Sequence, residues 1–127
     1  MSIDDFLKRK GFNSFEDLKK DLKSVQSENR AWEKLNAPIW KLNDKGILFE
    51  KSGKLEKAIV EYEKCLKYML DNYPQIEIAW HSPNRLRILY KKVKHPNEKQ
   101  FLIEFINFCR ANDIQYPELF DKQLSKL

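Results

Sequence analysis

The stretch Leu55-Glu56-Lys57-Ala58-Ile59-Val60-Glu61-Tyr62-Glu63-Lys64-Cys65-Leu66-Lys67-Tyr68-Met69-Leu70-Asp71 decides the fold. Leu55, Ala58, Ile59, Tyr62, Cys65, Leu66 and Met69 recur at the three- and four-residue spacings of one helix face, and Lys and Glu fill the other. Glu63 and Lys67 add a favourable i,i+4 pair. The pattern predicts a helix over 55–71 with one buried stripe. Ahead of it, Ser52-Gly53-Lys54 is a tight break. Residues 38–51 before the break carry apolar groups on more than one face, Ile39, Leu42 and Phe49 on one and Trp40 and Ile47 on another. A helix of that kind is sandwiched between neighbours. Two such helices joined by a short turn make an antiparallel hairpin. Gly46, in the middle of the first, costs about 1 kcal/mol relative to Ala. Its presence predicts a helix crossing so close that no side chain fits.

Pro74 closes this unit. Residues 75–81 alternate in places, but a lone strand would have no partner, so a loop or helical extension that buries Trp80 is expected. Ser82-Pro83 reads as a cap followed by proline at the first helical position. Leu86, Leu89, Tyr90 and Val93 then line one face of a helix over 83–94. After the break His95-Pro96-Asn97, the residues Phe101, Leu102, Phe105, Phe108 and Cys109 form the apolar face of a helix over 97–111, giving a second hairpin over 82–111. A short last helix within 116–125 starts near Pro117 and is expected to bury Leu119, Phe120 and Leu124. Upstream, a helix over 3–10 capped by Ser2 ends at Gly11, and Ser14-Phe15-Glu16-Asp17 resembles a capping box. The stripe Phe15, Leu18, Leu22, Val25 predicts a core-facing helix to about Val25, followed by a short turn around Trp32 and Leu35. Pro38 is placed near the start of the next helix.

Bulk composition fits an all-α chain of one domain, 1–127. Only three glycines and five prolines occur in 127 residues, too few for the turns of a sheet-rich fold. Cys65 and Cys109 sit inside apolar helical patterns, which predicts buried free thiols in a reducing compartment rather than a disulfide. His81 and His95 lie far in sequence from either cysteine, so no metal-ligand spacing exists and neither metal nor cofactor is expected. Both histidines adjoin element boundaries, where exposed loop residues are expected. The acidic start, Asp4-Asp5, is unlike a signal peptide, and uninterrupted apolar runs reach only three residues, so no membrane association is expected and the cytoplasm is the default compartment.

The first hairpin resembles a tetratricopeptide repeat, a helix-turn-helix unit with small and aromatic residues at fixed places. The resemblance rests on Leu42, Gly46, Phe49, Gly53, Ala58 and Tyr62, whose spacing fits the family's own. Lys45 stands where the family has an apolar residue and Cys65 where it has Ala. The closing proline is delayed to Pro74. Arg85-Leu86-Arg87-Ile88-Leu89-Tyr90-Lys91-Lys92 is similar to a segment of degenerate tetratricopeptide-like proteins of bacteria and their phages. The resemblance implies a short right-handed array of antiparallel hairpins, 38–72 and 82–111, with no catalytic residues. Arrays of this type need three or more units to be stable alone. The helices of 1–36 are therefore expected to pack on the hairpins as a degenerate third layer. If they do not, a homodimer through an exposed apolar face is expected.

Function follows from charge and from what is missing. There is no glycine-rich phosphate loop, and the paired carboxylates Glu61 and Glu63 point to different faces of a helix, so an enzyme is not expected. The net charge is +5. Residues 81–100 hold six Lys/Arg against Glu98 alone, giving +5, while residues 1–30, 31–80 and 101–127 sum to +1, 0 and −1. The resemblance implies a groove formed by the first helix of each hairpin, lined by Lys41, Asn43, Lys45, Asn84, Arg87, Lys91 and Lys92 and suited to an acidic protein or peptide. That makes the chain a small adaptor or regulatory protein. The alternative is nucleic-acid binding, or an accessory role in a phage or mobile element, through a basic patch of Arg85, Arg87, Lys91, Lys92 and Lys94. A helical wheel sets Arg87, Lys91 and Lys92 opposite the apolar face of 83–94. Tyr90 points inward, however, so no stacking platform accompanies the charge.

Overall fold

The computed structural model describes residues 15–127, which are all-helical, with no strand among them. The helices are α1 (Phe15–Lys51), α2 (Leu55–Asp71), α3 (His81–Val93), α4 (Glu98–Ala111) and α5 (Glu118–Ser125). The expected helix over 3–10, its stop at Gly11 and the cap at Ser14 lie outside the described residues. The chain divides into two compact units, Met1–Ala37 and Pro38–Leu127.

In the first unit, α1 differs from expectation. It does not stop near Val25 but continues, and Pro38 lies inside it rather than at a helix start. Residues 26–37 contain no glycine and are rich in good helix formers, so nothing local ends the helix. Asn36 bonds back to the Trp32 carbonyl at 2.9 Å, within the turn that precedes the proline. Leu22 and Val25, expected to face a core, are 51% and 44% exposed.

The second unit begins with the predicted hairpin. The stripe Ala58, Ile59, Tyr62, Cys65, Leu66 and Met69 of α2 is buried. The Cys65 thiol approaches the Ile39 carbonyl of α1 at 3.7 Å. Gly46 marks the close crossing: a Cβ there would lie 2.6 Å from Tyr62 Cζ and 2.8 Å from Cδ1. The Tyr62 ring is fully buried, and its hydroxyl donates to Glu50 Oε1 at 2.7 Å, so the ring is held against the glycine. Gly53 serves a different purpose. Its φ is 74°, and no atom lies within 4 Å of an added Cβ. Here the chain reverses, with Gly53 N–H donating to the Glu50 carbonyl (3.0 Å) and Lys54 N–H to the Phe49 carbonyl (2.8 Å). This is a Schellman ending, which needs one left-handed residue.

The same ending recurs without glycine. Lys94 (φ 51°) and Asp113 (φ 55°) terminate α3 and α4. The following residues, His95 and Ile114, donate to the Tyr90 and Cys109 carbonyls, each at 2.8 Å.

Between α2 and α3 the chain forms turns and loop, as expected, and Ile76 (1% exposed) joins the core beside the half-buried Trp80. α3 begins at His81 with Trp80 as its N-cap, so Ser82 is not the cap that the Ser-Pro pair predicts. It is fully buried, and its hydroxyl donates to Asn43 Oδ1 of α1. His81 is exposed as expected, 5.5 Å from the Tyr62 ring, whereas His95 is half-buried and stacks on Tyr90 at 4.5 Å. α4 contributes Leu102, Phe105, Ile106 and Cys109 to the core. α5 adds Phe120, whose ring centroid lies 5.2 Å from that of Phe105. Leu119, expected in this core, is 52% exposed. The helix turns Phe120 inward, and Gln123, three residues on, takes the inner position instead. No described helix is long and apolar enough to cross a membrane.

Candidate partner-binding surface

Two hydrogen bonds fix how α1 and α3 lie: Ser82 to Asn43 and, further along both helices, Arg85 to Glu50. Partners advance together along the two chains, so these first helices of the two hairpins run side by side in the same sense. Both cross-helix bonds use residues that sequence reasoning assigned to the outer surface.

Arg85 is the clearest correction. Its Nε donates to Glu50 Oε1 at 2.9 Å, and an Nη completes the fork on Oε2. Burial alone would raise the Glu50 pKa. The hydrogen bonds from Arg85 and Tyr62 outweigh that and hold it below its ordinary value. The same fork raises the Arg85 pKa. Arg85 is therefore the counter-ion of Glu50, with its side chain still partly exposed. Asn43 likewise turns inward, to Ser82, rather than lining a groove.

Arg87 also departs from the wheel. Its guanidinium lies 5.7 Å from the centre of the Phe120 ring, and Nη1 reaches Gln123 Oε1 at 3.3 Å. Gln123 answers through Nε2, donating to the Arg87 carbonyl (3.0 Å) and to Glu98 Oε2 (2.7 Å). Burial pushes the Arg87 pKa down, and its Nε has no partner among the described residues. The arginine ties α5 to α3.

What remains outside is a set of lysines on two helices. Lys41 and Lys45 on α1, Lys91 and Lys92 on α3, and Lys94 at its end are exposed, and no ion pair or hydrogen bond among the described residues engages their side chains. Asn84 is half-buried at the start of the same α3 face. Exposed apolar residues on these helices include Trp40 (48%) and Leu48 (63%) of α1 and Ile88 (37%) of α3. Of the residues on which the tetratricopeptide resemblance rests, Gly46, Ala58 and Tyr62 are buried, Leu42 and Phe49 half-buried, and Gly53 exposed in its turn.

One surface escaped the sequence reading altogether. A cleft of about 430 Å³ opens between α2 and α4, with Leu86 and Tyr90 of α3 among its lining. Leu70 and Phe101 line it too, and Glu63, Asp71 and Glu104 stand around it. The one lysine present, Lys67, is paired with Asp71 at 3.1 Å. The sequence shows the row 63, 66, 67, 70 on α2 as a partly solvated face. Nothing in it says that α4 brings Glu104 and Phe101 alongside.

Neither thiol takes part in any of this. Cys65 and Cys109 are free and buried, and burial raises both pKa values, that of Cys109 to about 11. No protein-family model, curated protein or solved structure matches the chain.

Proposed function

We propose that the chain is a small adaptor or regulatory protein that binds an acidic protein or peptide through the exposed lysines of α1 and α3. One observation carries this reading. Lys41, Lys45, Lys91 and Lys92 are exposed and unpaired among the described residues, on two helices that the Asn43–Ser82 and Glu50–Arg85 contacts hold side by side. Exposed Leu48 and Ile88 supply apolar anchors on the same helices. Such a surface suits an acidic amphipathic segment, where apolar contacts give affinity and the charges give rate and register. The close crossing at Gly46 and the parallel course of α1 and α3 favour a tetratricopeptide-like arrangement, in which first helices line the binding side.

The nucleic-acid alternative loses weight because two of its five cations, Arg85 and Arg87, are spent inside the fold, and Tyr90 is only 3% exposed. The test is retention of partners from the native host by the immobilised protein. Wild type and the variant Lys41→Ala/Lys45→Ala/Lys91→Ala/Lys92→Ala would be compared, with and without nuclease. A nuclease-resistant partner kept by wild type and lost by the variant is expected. Retention abolished by nuclease, or unchanged in the variant, would overturn the reading.

A further inference from the structure

We propose that the acidic partner of these lysines is a second copy of this chain, which receives the exposed face of α3 that carries Ile88, Lys91 and Lys92 in its cleft between α2 and α4. This rests on the adaptor reading above and names the partner it leaves open.

The charges are complementary. Around the cleft Glu63, Asp71 and Glu104 oppose only Lys67, a local balance of −2 in a chain whose net charge is +5. Asp71 and Lys67 neutralise each other, which leaves Glu63, hydrogen-bonded with Tyr90, and Glu104 without a cation among the described residues. Glu104 accepts only a neutral hydrogen bond, from Gln100 at 2.6 Å. The half-buried Leu70 and Phe101 offer apolar surface between these carboxylates. The row from 63 to 70 on α2 spans about 10 Å, two helical turns.

The face on α3 matches in kind and, at about 6 Å, fits within the length of that row. Ile88, Lys91 and Lys92 stand at i, i+3 and i+4 and share one exposed side of the helix. Ile88 would meet the apolar surface of Leu70 and Phe101, and the flexible Lys91 and Lys92 would reach toward carboxylates at the rim of the cleft. This is the helix-in-groove mode, with charged residues flanking an apolar anchor.

The placement of the two features also dictates the kind of assembly. Leu86 and Tyr90 line the cleft, whereas Ile88 lies about 200° around α3 from each of them. Face and cleft are thus on opposite sides of one helix, and no copy can satisfy its own. Joining face to cleft is heterologous, so each addition leaves a free face at one end and a free cleft at the other.

Sedimentation velocity on the full chain tests this, across a roughly hundredfold concentration range at low salt and at about 0.5 M salt. The average mass should rise with concentration without stopping at a dimer, and fall at high salt. Lys91→Glu/Lys92→Glu and Glu104→Lys should each weaken association by roughly tenfold or more. Mixing the two variants should restore it, because each then meets its opposite charge. Glu104→Gln, a milder change checked by circular dichroism, should weaken association in the same direction. A chain that stays monomeric throughout overturns the proposal, as do association indifferent to Glu104 and a mixture that fails to assemble. A monomer that still holds a nuclease-resistant partner through its lysines would overturn this proposal and leave the adaptor reading standing.

Discussion

Replacing Gly46 with alanine sets two local effects against each other, and the structure decides the sign. Alanine is favoured over glycine in a helix interior by about 1 kcal/mol. Were Gly46 a tolerated irregularity, Gly46→Ala would stabilise the protein by that amount. The added methyl, however, would sit 2.6 Å from Tyr62 Cζ, inside any real carbon contact. The ring has two responses. It can stay and force α1 and α2 apart, a form of overpacking that costs about 1–3 kcal/mol. Or it can swing away and forfeit the 2.7 Å hydrogen bond to Glu50, a bond to a charged acceptor worth about 1.5–3 kcal/mol. Subtracting the propensity gain from either leaves the variant between level with wild type and about 2 kcal/mol less stable. Urea unfolding followed by far-UV circular dichroism measures the difference, with an unchanged denaturant slope confirming that only stability moved. Tyr62→Phe provides the control. It removes the tether but keeps the ring, so Gly46→Ala should cost about 1 kcal/mol less in that background. A Gly46→Ala variant more stable than wild type would refute the close-crossing argument.

Acid stability should report on Glu50. Its folded pKa is held below the ordinary 4.5, so the stability it contributes is complete above that value and is lost as pH falls through the folded pKa. Glu50→Gln should lack this acid-side loss in melts recorded below about pH 4.5. Arg85→Ala should destabilise by about 1–2 kcal/mol at neutral pH, less than for a fully buried pair because both side chains keep some solvent contact. The left-handed helix ends should respond in opposite directions. Gly53→Ala should cost about 1 kcal/mol although its Cβ would touch nothing, whereas Lys94→Gly should gain about 0.5–1 kcal/mol in thermal melts. Thiol labelling of the native protein should be slow at both Cys65 and Cys109 at neutral pH and become rapid at both only in denaturant.

How far the sequence could be read depended on whether the information was local. The α2 stripe, the glycine turn at Gly53 and the small residue at Gly46 each express a constraint within one hairpin, and the structure realises all three. The misreadings arose where a residue has two uses. Pro38 suits a helix start equally well, and only the absence of a stop signal in residues 26–37 argues for a helix that passes through it. Ser82-Pro83 has the form of a cap, but Ser82 is fully buried against Asn43, and a buried hydroxyl spends its hydrogen bond on the neighbouring helix.

Charge was the least legible property, for a physical reason. A helical wheel gives the direction of a side chain about its own axis but not what lies there. Arg85 and Arg87 both leave α3 at angles that look solvated, yet α1 offers Glu50 to one and α5 offers Phe120 and Gln123 to the other. Both are arginines, whose planar guanidinium is weakly hydrated and holds a fork of donors, so burial against a partner costs them less than it costs a lysine. The lysines of the same helix, compact and strongly hydrated, stay in water. Residue type therefore carried a signal that net charge did not: in a basic helix within a packed array, arginines are the first candidates for internal clamps and lysines for the accessible face. Applied to this chain, that distinction moves the partner-binding argument from residues 85 and 87 to residues 91 and 92, which stay exposed.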